Sequence, residues 1–190
     1  MRRCLVLLMA AAACSENGGG PNLCEVRTSL VNHDLWTPVP VESDPYSVEG
    51  REVCRTDHDP PQMHTELFEL ENSYTIETRS CSWGTVQQPS LIAVRTGEIL
   101  NLRLWYFSQT NFEIAEAELV VATPEDRLLD ERVPLPVPFE EAGLRYRQMP
   151  APRDIAVGET LYFHVNNHGV NTWNLLEVSV SRMEPCEGGN

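Results

Sequence analysis

The stretch LNLRLWYF, residues 100–107, decides the fold class of this chain. Apolar side chains recur at every second position and would share one side of a strand: Leu100, Leu102, Leu104 and Tyr106. The intervening positions would share the other side: Asn101, Arg103, Trp105 and Phe107. A period of two is typical of an antiparallel strand that buries one face in a core.

The rest of the chain repeats this pattern. AEAELVV, residues 115–121, also alternates, and 14 prolines and 11 glycines separate short β-branched or aromatic runs. No long helical periodicity interrupts them. We therefore predict an all-β fold, an antiparallel β-sandwich or jelly roll. The candidate strands are residues 26–31, 66–70, 74–80, 91–95, 99–107, 114–122, 128–133, 144–149, 160–166 and 173–181.

Residues 1–13 have the pattern of an export signal. Two arginines precede a short apolar run that ends in small residues, and the run is too short to span a bilayer as a stable helix. We expect this segment to be removed. Ordinary cleavage after an Ala-x-Ala site and lipoprotein-type cleavage before Cys14 are both open at this point.

The residues Ala11, Ala12, Ala13 and Cys14 resemble the lipobox of bacterial lipoproteins. This resemblance implies that Cys14 carries lipid, palmitate included, and anchors the protein to a membrane. Residues 14–23 are then a flexible tether rich in glycine. In that family, a serine after the lipidated cysteine implies delivery to the outer membrane of a Gram-negative bacterium. Apart from this resemblance, we expect residues 24–190 to form a single domain with an irregular arm at about residues 32–60.

The cysteine count supports the lipoprotein interpretation. Cys4 is lost with the signal, and if Cys14 carries lipid an even number of cysteines remains. An even number in an exported chain predicts two disulfides, whereas ordinary cleavage would leave an odd thiol. The four cysteines are Cys24, Cys54, Cys81 and Cys186.

Four cysteines allow three pairings. We prefer Cys24 with Cys54 and Cys81 with Cys186, although sequence alone does not choose among them. The chain contains no CxxC spacing, so a zinc ribbon or a thioredoxin-type site has no support.

Charge excludes several classes of function. All 14 basic residues are arginine, so no lysine can serve a phosphate loop, a Schiff base or a Ser-Lys dyad. Loss of Arg2 and Arg3 leaves 12 arginines against 28 acidic residues, a formal charge of −16. Nucleic acid is therefore not an expected partner.

The segment LYFHVNNHGVNTWNLLEV, residues 161–178, is predicted to form a hairpin. Gly169 and Val170 suit a two-residue type II′ turn. With Phe163, Val165, Leu176 and Val178 inside, an outer face would carry a candidate glycan site. That site consists of Tyr162, His164, Asn166 and Trp173. The alternative is that these residues only shape a turn and pack across strands.

A second cluster of side chains could bind a divalent cation with nitrogen and oxygen ligands. Its spacing matches no established ligand pattern, and a solvated acidic loop is the competing interpretation. The candidate ligands are Asp57, His58, Asp59, His64 and His168.

The chain carries no recognisable catalytic motif. There is no Gly-x-Ser-x-Gly and no His-Glu-x-x-His, and His164 and His168 lack the spacing of cupin metal ligands. Residues 80–178 resemble uncharacterised secreted lipoproteins, and the strand plan loosely resembles galactose-binding-like jelly rolls. We expect a non-catalytic envelope module, without a cofactor, that recognises a glycan or a protein; a metal-dependent envelope protein is the alternative.

Overall fold

Eleven strands stack as two antiparallel sheets in the computed structural model, which describes residues 22–68, 71–107, 114–135, 143–167 and 169–186. Sheet A contains β1 Leu23–Ser29, β3 Met63–Phe68, β4 Glu71–Glu77, β6 Ile99–Tyr106, β9 Gly143–Pro150 and β11 Thr172–Pro185. Sheet B contains β2 Thr37–Pro38, β5 Trp83–Pro89, β7 Ala115–Ala122, β8 Arg127–Leu135 and β10 Thr160–Asn166.

The strand order confirms the predicted antiparallel β-sandwich of jelly-roll type. Sheet A runs β3-β4-β11-β6-β9, with β1 paired to β11, and sheet B runs β2-β5-β10-β7-β8. From β4 onward most consecutive strands lie in opposite sheets, as in a jelly roll. Two short 3-10 helices, His33–Leu35 and Val41–Ser43, lie in the segment that connects β1 to β3.

The core lies between the sheets, and the alternation of β6 supplies part of it. The four apolar side chains predicted to share a face are all at most 2% exposed. From sheet B, Ala117, Leu119, Val121, Phe163 and Val165 meet them. Burial on this scale is the main favourable contribution to folding.

Both disulfides are present, but the preferred pairing was wrong. Cys24 is bonded to Cys186, and Cys54 is bonded to Cys81. The first pair forms because β1 lies beside the end of β11, where Cys24 is opposite Glu184 in the ladder. The sequence gives no sign of this contact between the two ends of the domain.

The predicted hairpin at residues 161–178 is also wrong. β10 pairs with β5 and β7 in sheet B, whereas β11 pairs with β1, β4 and β6 in sheet A. Asn167 and Asn171, which lie between β10 and β11, instead form hydrogen bonds with the segment between β4 and β5. Asn167 donates its side-chain amide to Thr78 Oγ1 at 2.6 Å, and Thr78 N donates to the Asn171 carbonyl at 2.9 Å.

A β-bulge at Leu176 changes which side chains of β11 face the core. Leu175 pairs with Leu104 and Glu177 pairs with Arg103, so Leu176 is an extra residue between them. Trp173 and Leu175 therefore face inward, as Val178 and Val180 do beyond the bulge, and all four are fully buried. The buried ring of His33 contacts the Leu176 carbonyl through Nε2 at 3.2 Å and holds the bulge in place.

The strand β5 was missing from the predicted set, whereas residues 91–95 contain only an isolated bridge at Val94. The inward positions of β5 include Gly84 and Gln88, so the apolar alternation is weak there. Gly84 is needed because a Cβ atom would lie 2.8 Å from Met63 Sδ and 3.2 Å from Cys54 Cβ.

The predicted signal segment and Cys14 lie outside the described residues. Within the part of the chain that the structure covers, no helix has the length and apolar character needed to cross a bilayer.

We expect the double variant Cys24→Ser/Cys186→Ser to lose stability. The bond closes a loop with a sequence separation of 162 residues. Chain entropy for a loop of that size predicts a loss of about 5 kcal/mol in the free energy of unfolding. Urea denaturation measures the loss, and peptide mapping without reduction should still find Cys54 joined to Cys81. Wild-type peptides that join Cys24 to Cys54 would contradict the pairing.

Candidate functional site

The structure does not bring Tyr162, His164, Asn166 and Trp173 together on one open face. Trp173 lies in the core between the sheets, with its ring centroid 5.4 Å from that of Tyr106. Trp173 faces the core because of the bulge at Leu176. One extra residue in β11 reverses which side chains upstream of the bulge face inward.

The other three residues lie on the outer side of sheet B, beneath the segment that connects β1 to β3. Tyr46 stacks on the His164 ring at a centroid distance of 5.0 Å and meets the ring edge of Tyr162 at 6.0 Å. Arg51 donates to Asn166 Oδ1 and to the Asn167 carbonyl. This segment therefore covers the surface that the sequence suggested as a binding face.

His164 is a neutral, buried group. It is 1% exposed, and its Nδ1 shares a 2.7 Å hydrogen bond with the Thr85 hydroxyl. Burial lowers the pKa of His164 to about 3, and the nearby Arg127 shifts the pKa in the same direction. Burial raises the pKa of Asp44, and a hydrogen bond with Thr85 opposes that rise.

The proposed metal ligands are dispersed. Asp57 forms an ion pair with Arg55 at 2.7 Å, and His58 Nδ1 lies 3.0 Å from the Pro60 carbonyl. His64 lies 3.9 Å from a Glu77 carboxylate oxygen. His168 falls outside the described residues, and Asp59 belongs to no group of potential ligands. Of the residues that the structure describes, no three His, Cys, Asp or Glu side chains are placed to hold one ion.

The surface with the richest set of recognition groups is the opposite side of the molecule, the outer face of sheet A. It is formed by side chains that point away from the core on β1, β4, β6, β9 and β11. Its principal residues are Glu25, Arg27, Glu71, Asn101, Arg103, Trp105, Tyr146, Gln148, Glu177, Ser179 and Ser181.

Aromatic and apolar side chains gather on the β6–β9 half of this face. The rings of Trp105 and Phe107 meet edge to face at 6.2 Å, and Phe107 is 48% exposed. Leu144 is paired with Trp105, and Tyr146 follows two residues later on the same side of β9. Tyr146 and Leu144 are 38% and 48% exposed, so this half offers rings and apolar carbon to a ligand.

Asn101 organises the centre of the face. Its side chain is fully buried, yet it points away from the core. Asn101 Oδ1 accepts hydrogen bonds of 2.8 Å from the Tyr146 hydroxyl and from Gln148 Nε2, and Nδ2 donates to Ser181 Oγ at 2.8 Å. Ser181 donates to Glu25 at 2.6 Å. These bonds fix polar groups from four strands in place before any ligand arrives.

Two shallow cavities border this network. One, of about 350 Å³, has walls that include Glu25, Ile99, Gln148 and Met149. The other, of about 420 Å³, lies among Arg27, Arg103, Glu71 and Glu177. The face therefore offers an apolar recess, a polar centre and a charged recess side by side.

The sequence contained a signal for this face. The alternation in residues 100–107 already placed Asn101, Arg103, Trp105 and Phe107 on the side away from the core. What it lacked was the identity of the neighbouring strands, since β9 and β11 follow β6 by about 40 and 70 residues and pair with its two edges.

No family model and no curated protein matches the chain. Solved structures that it resembles include a mannan-recognising carbohydrate-binding module, at 10% identity and TM-score 0.42 over 85% of this chain and 97% of that one. A cyclase from Fischerella sp. TAU has 11% identity and TM-score 0.42 over 85% and 90% of the two chains. A tailspike domain of bacteriophage CBA120 has 11% identity and TM-score 0.42 over 80% of this chain, which spans 20% of that chain. These likenesses assign neither a ligand nor an activity to this protein.

The buried state of His164 predicts a pH dependence of stability. Above its ordinary pKa of 6.5 His164 is neutral whether the chain is folded or unfolded. As the pH falls from 6.5 toward 3, only the unfolded chain takes up this proton, so the free energy of unfolding decreases. The contribution is at most about 1.4 kcal/mol per pH unit.

Urea denaturation at several pH values tests this for wild type and His164→Gln. The wild-type free energy of unfolding should fall more steeply below about pH 6 than that of His164→Gln. The exposed His58→Gln serves as the matched control and should keep the wild-type slope. Equal slopes for wild type and His164→Gln would show that His164 is not held neutral by burial.

Proposed function

We propose that the protein is a lipid-anchored component of the cell envelope whose β-sandwich binds a glycan without catalysis. The binding surface is the outer face of sheet A. The single observation that carries this proposal is the row of partly exposed rings on β6 and β9 beside the polar network around Asn101.

The aromatic half suits the apolar side of a sugar ring. Pyranose rings present C–H groups on one face, and these groups pack on aromatic side chains. Trp105, Phe107 and Tyr146 provide large, rigid rings with little conformational entropy to lose on binding. Because the first and last of these lie on paired strands, their spacing is set by the sheet.

The polar half suits the hydroxyl groups of the same ligand. Gln148 and the Tyr146 hydroxyl are oriented by Asn101, and carboxylates of Glu25 and Glu177 border them. Amide, hydroxyl and carboxylate groups in fixed positions give a site its orientation and specificity. A flat face of this kind fits a chain of sugars better than a deep pocket would.

The anchor in this proposal is Cys14. The lipobox resemblance and the even number of remaining cysteines support it, as does the pairing of the four sandwich cysteines into two disulfides. β1 begins at Leu23, nine residues after Cys14. An extended tether of that length spans about 30 Å and would let the sandwich stand off the membrane.

Binding can be tested with a glycan array followed by calorimetry on the best ligand. Phe107→Ala and Tyr146→Ala should each weaken binding at least about tenfold, which corresponds to about 1.4 kcal/mol of lost ring contact. Tyr162→Ala, on the outer side of sheet B, is the matched aromatic control and should bind normally. Loss of binding in Tyr162→Ala alone would place the site on sheet B, and no binding of any saccharide by wild type would reject the proposal.

Anchoring has a separate test, made with the full chain in a Gram-negative host. Wild type should incorporate labelled palmitate and sediment with membranes, and Cys14→Ser should do neither because the thiol that would carry the lipid is gone. Cys4→Ser is the control, since that residue precedes the cleavage site. Equal membrane association of Cys14→Ser and wild type would contradict the lipoprotein interpretation.

A further inference from the structure

Arg27 and Arg103 are the cationic side chains at the centre of the outer face of sheet A, and each is bound by glutamates. Arg103 contacts Glu71 at 2.5 Å and Glu177 at 3.3 Å. Arg27 contacts Glu25 at 3.2 Å and approaches Glu177 at 3.9 Å. Guanidinium groups that would otherwise bind a ligand carboxylate or sulfate are therefore engaged within the protein.

Glu177 is the central member of this cluster. Its side chain is 15% exposed and lies between the two arginines, opposite Arg103 in the β6–β11 ladder. Ser179 Oγ donates to Glu177 Oε1 at 2.5 Å, which holds the carboxylate in position. The bulge at Leu176 places Glu177 on this face, so the strand geometry itself sets the position of the carboxylate.

The cluster carries a net negative charge. Two arginines stand against Glu25, Glu71 and Glu177, and the full chain has a formal charge of −14. An anionic ligand would meet repulsion from these carboxylates and from the protein as a whole. A neutral ligand meets carboxylate oxygens that accept hydrogen bonds from its hydroxyl groups.

We infer, on the basis of the proposed function, that this face selects uncharged glycans and rejects acidic ones. Glu71 and Glu177 are the residues that set this specificity. They act by occupying Arg103, so that a uronate carboxylate cannot form a bidentate pair with its guanidinium. Discrimination of this kind comes from a repulsive element as much as from an attractive one.

The test compares hexasaccharides of mannose and mannuronate, and of galactose and galacturonate. The members of each pair differ only at C6, where a hydroxymethyl group replaces a carboxylate. Calorimetry at low and high salt should show that wild type binds a neutral hexasaccharide at least about tenfold more tightly than its uronate. Glu71→Gln/Glu177→Gln should gain at least about tenfold in affinity for a uronate at low salt, since it frees Arg103.

The matched control is Glu116→Gln/Glu118→Gln on sheet B. It makes the same change in charge and frees Arg132 from both of its glutamates, as the test variant frees Arg103, but on the other side of the sandwich. The affinity of this control variant for uronates should equal that of the wild-type protein. The single variant Glu71→Gln, at a half-exposed position, should show part of the gain and keeps the test valid if the double variant does not fold.

The outcomes separate the two proposals. Tighter binding of uronates than of neutral hexasaccharides by wild type would overturn the inferred specificity and leave the proposed glycan binding intact. An equal gain in the sheet B control would also overturn it, because the effect would then come from overall charge. Failure of wild type to bind any saccharide would reject the proposed function itself.

Discussion

Leu176 adds one residue to β11, and much of the molecule depends on that addition. β11 is the strand of sheet A to which β1, β4 and β6 are all hydrogen-bonded. Upstream of the bulge its odd-numbered side chains enter the core, and downstream its even-numbered ones do. This reversal at the bulge buries Trp173 and turns Glu177 outward. Without the bulge, β11 would have to expose the apolar side chains on one side of Leu176, or bury the Glu177 carboxylate. Burial of an unpaired charge costs several kcal/mol.

The segment between β1 and β3 makes the two outer faces of the sandwich different. It places His33 against the bulge carbonyl and lays Tyr46 over His164. The bond from Cys54 to Cys81 fastens its far end beside β5. This segment covers the β10 residues on the outer side of sheet B, whereas Phe107, Leu144 and Tyr146 on the outer face of sheet A are partly exposed. That face combines partly exposed rings with polar groups held in position, and burial of Asn101 makes the arrangement rigid.

Charge on that face has a consistent pattern. The arginines at its centre are bound to glutamates, and Ser181 and Ser179 orient two of those carboxylates. The hydrogen bonds to Ser181 and Arg27 keep the pKa of Glu25 below its usual value, so Glu25 is a carboxylate near neutral pH. Groups of this kind accept hydrogen bonds from hydroxyl-bearing ligands.

The sequence by itself determined the all-β class and the inward side of β6, because period-two alternation is a local property of the chain. It also predicted two disulfides, because counting cysteines requires no knowledge of which strands are neighbours. It also placed Arg103 and Trp105 on the side away from the core. Only the tertiary structure decided the partners of β1, β10 and β11, the disulfide pairing and the burial of His164 and Trp173. The physical reason is that pairing between distant strands, and the side of a strand beyond a bulge, depend on contacts that short-range patterns do not contain.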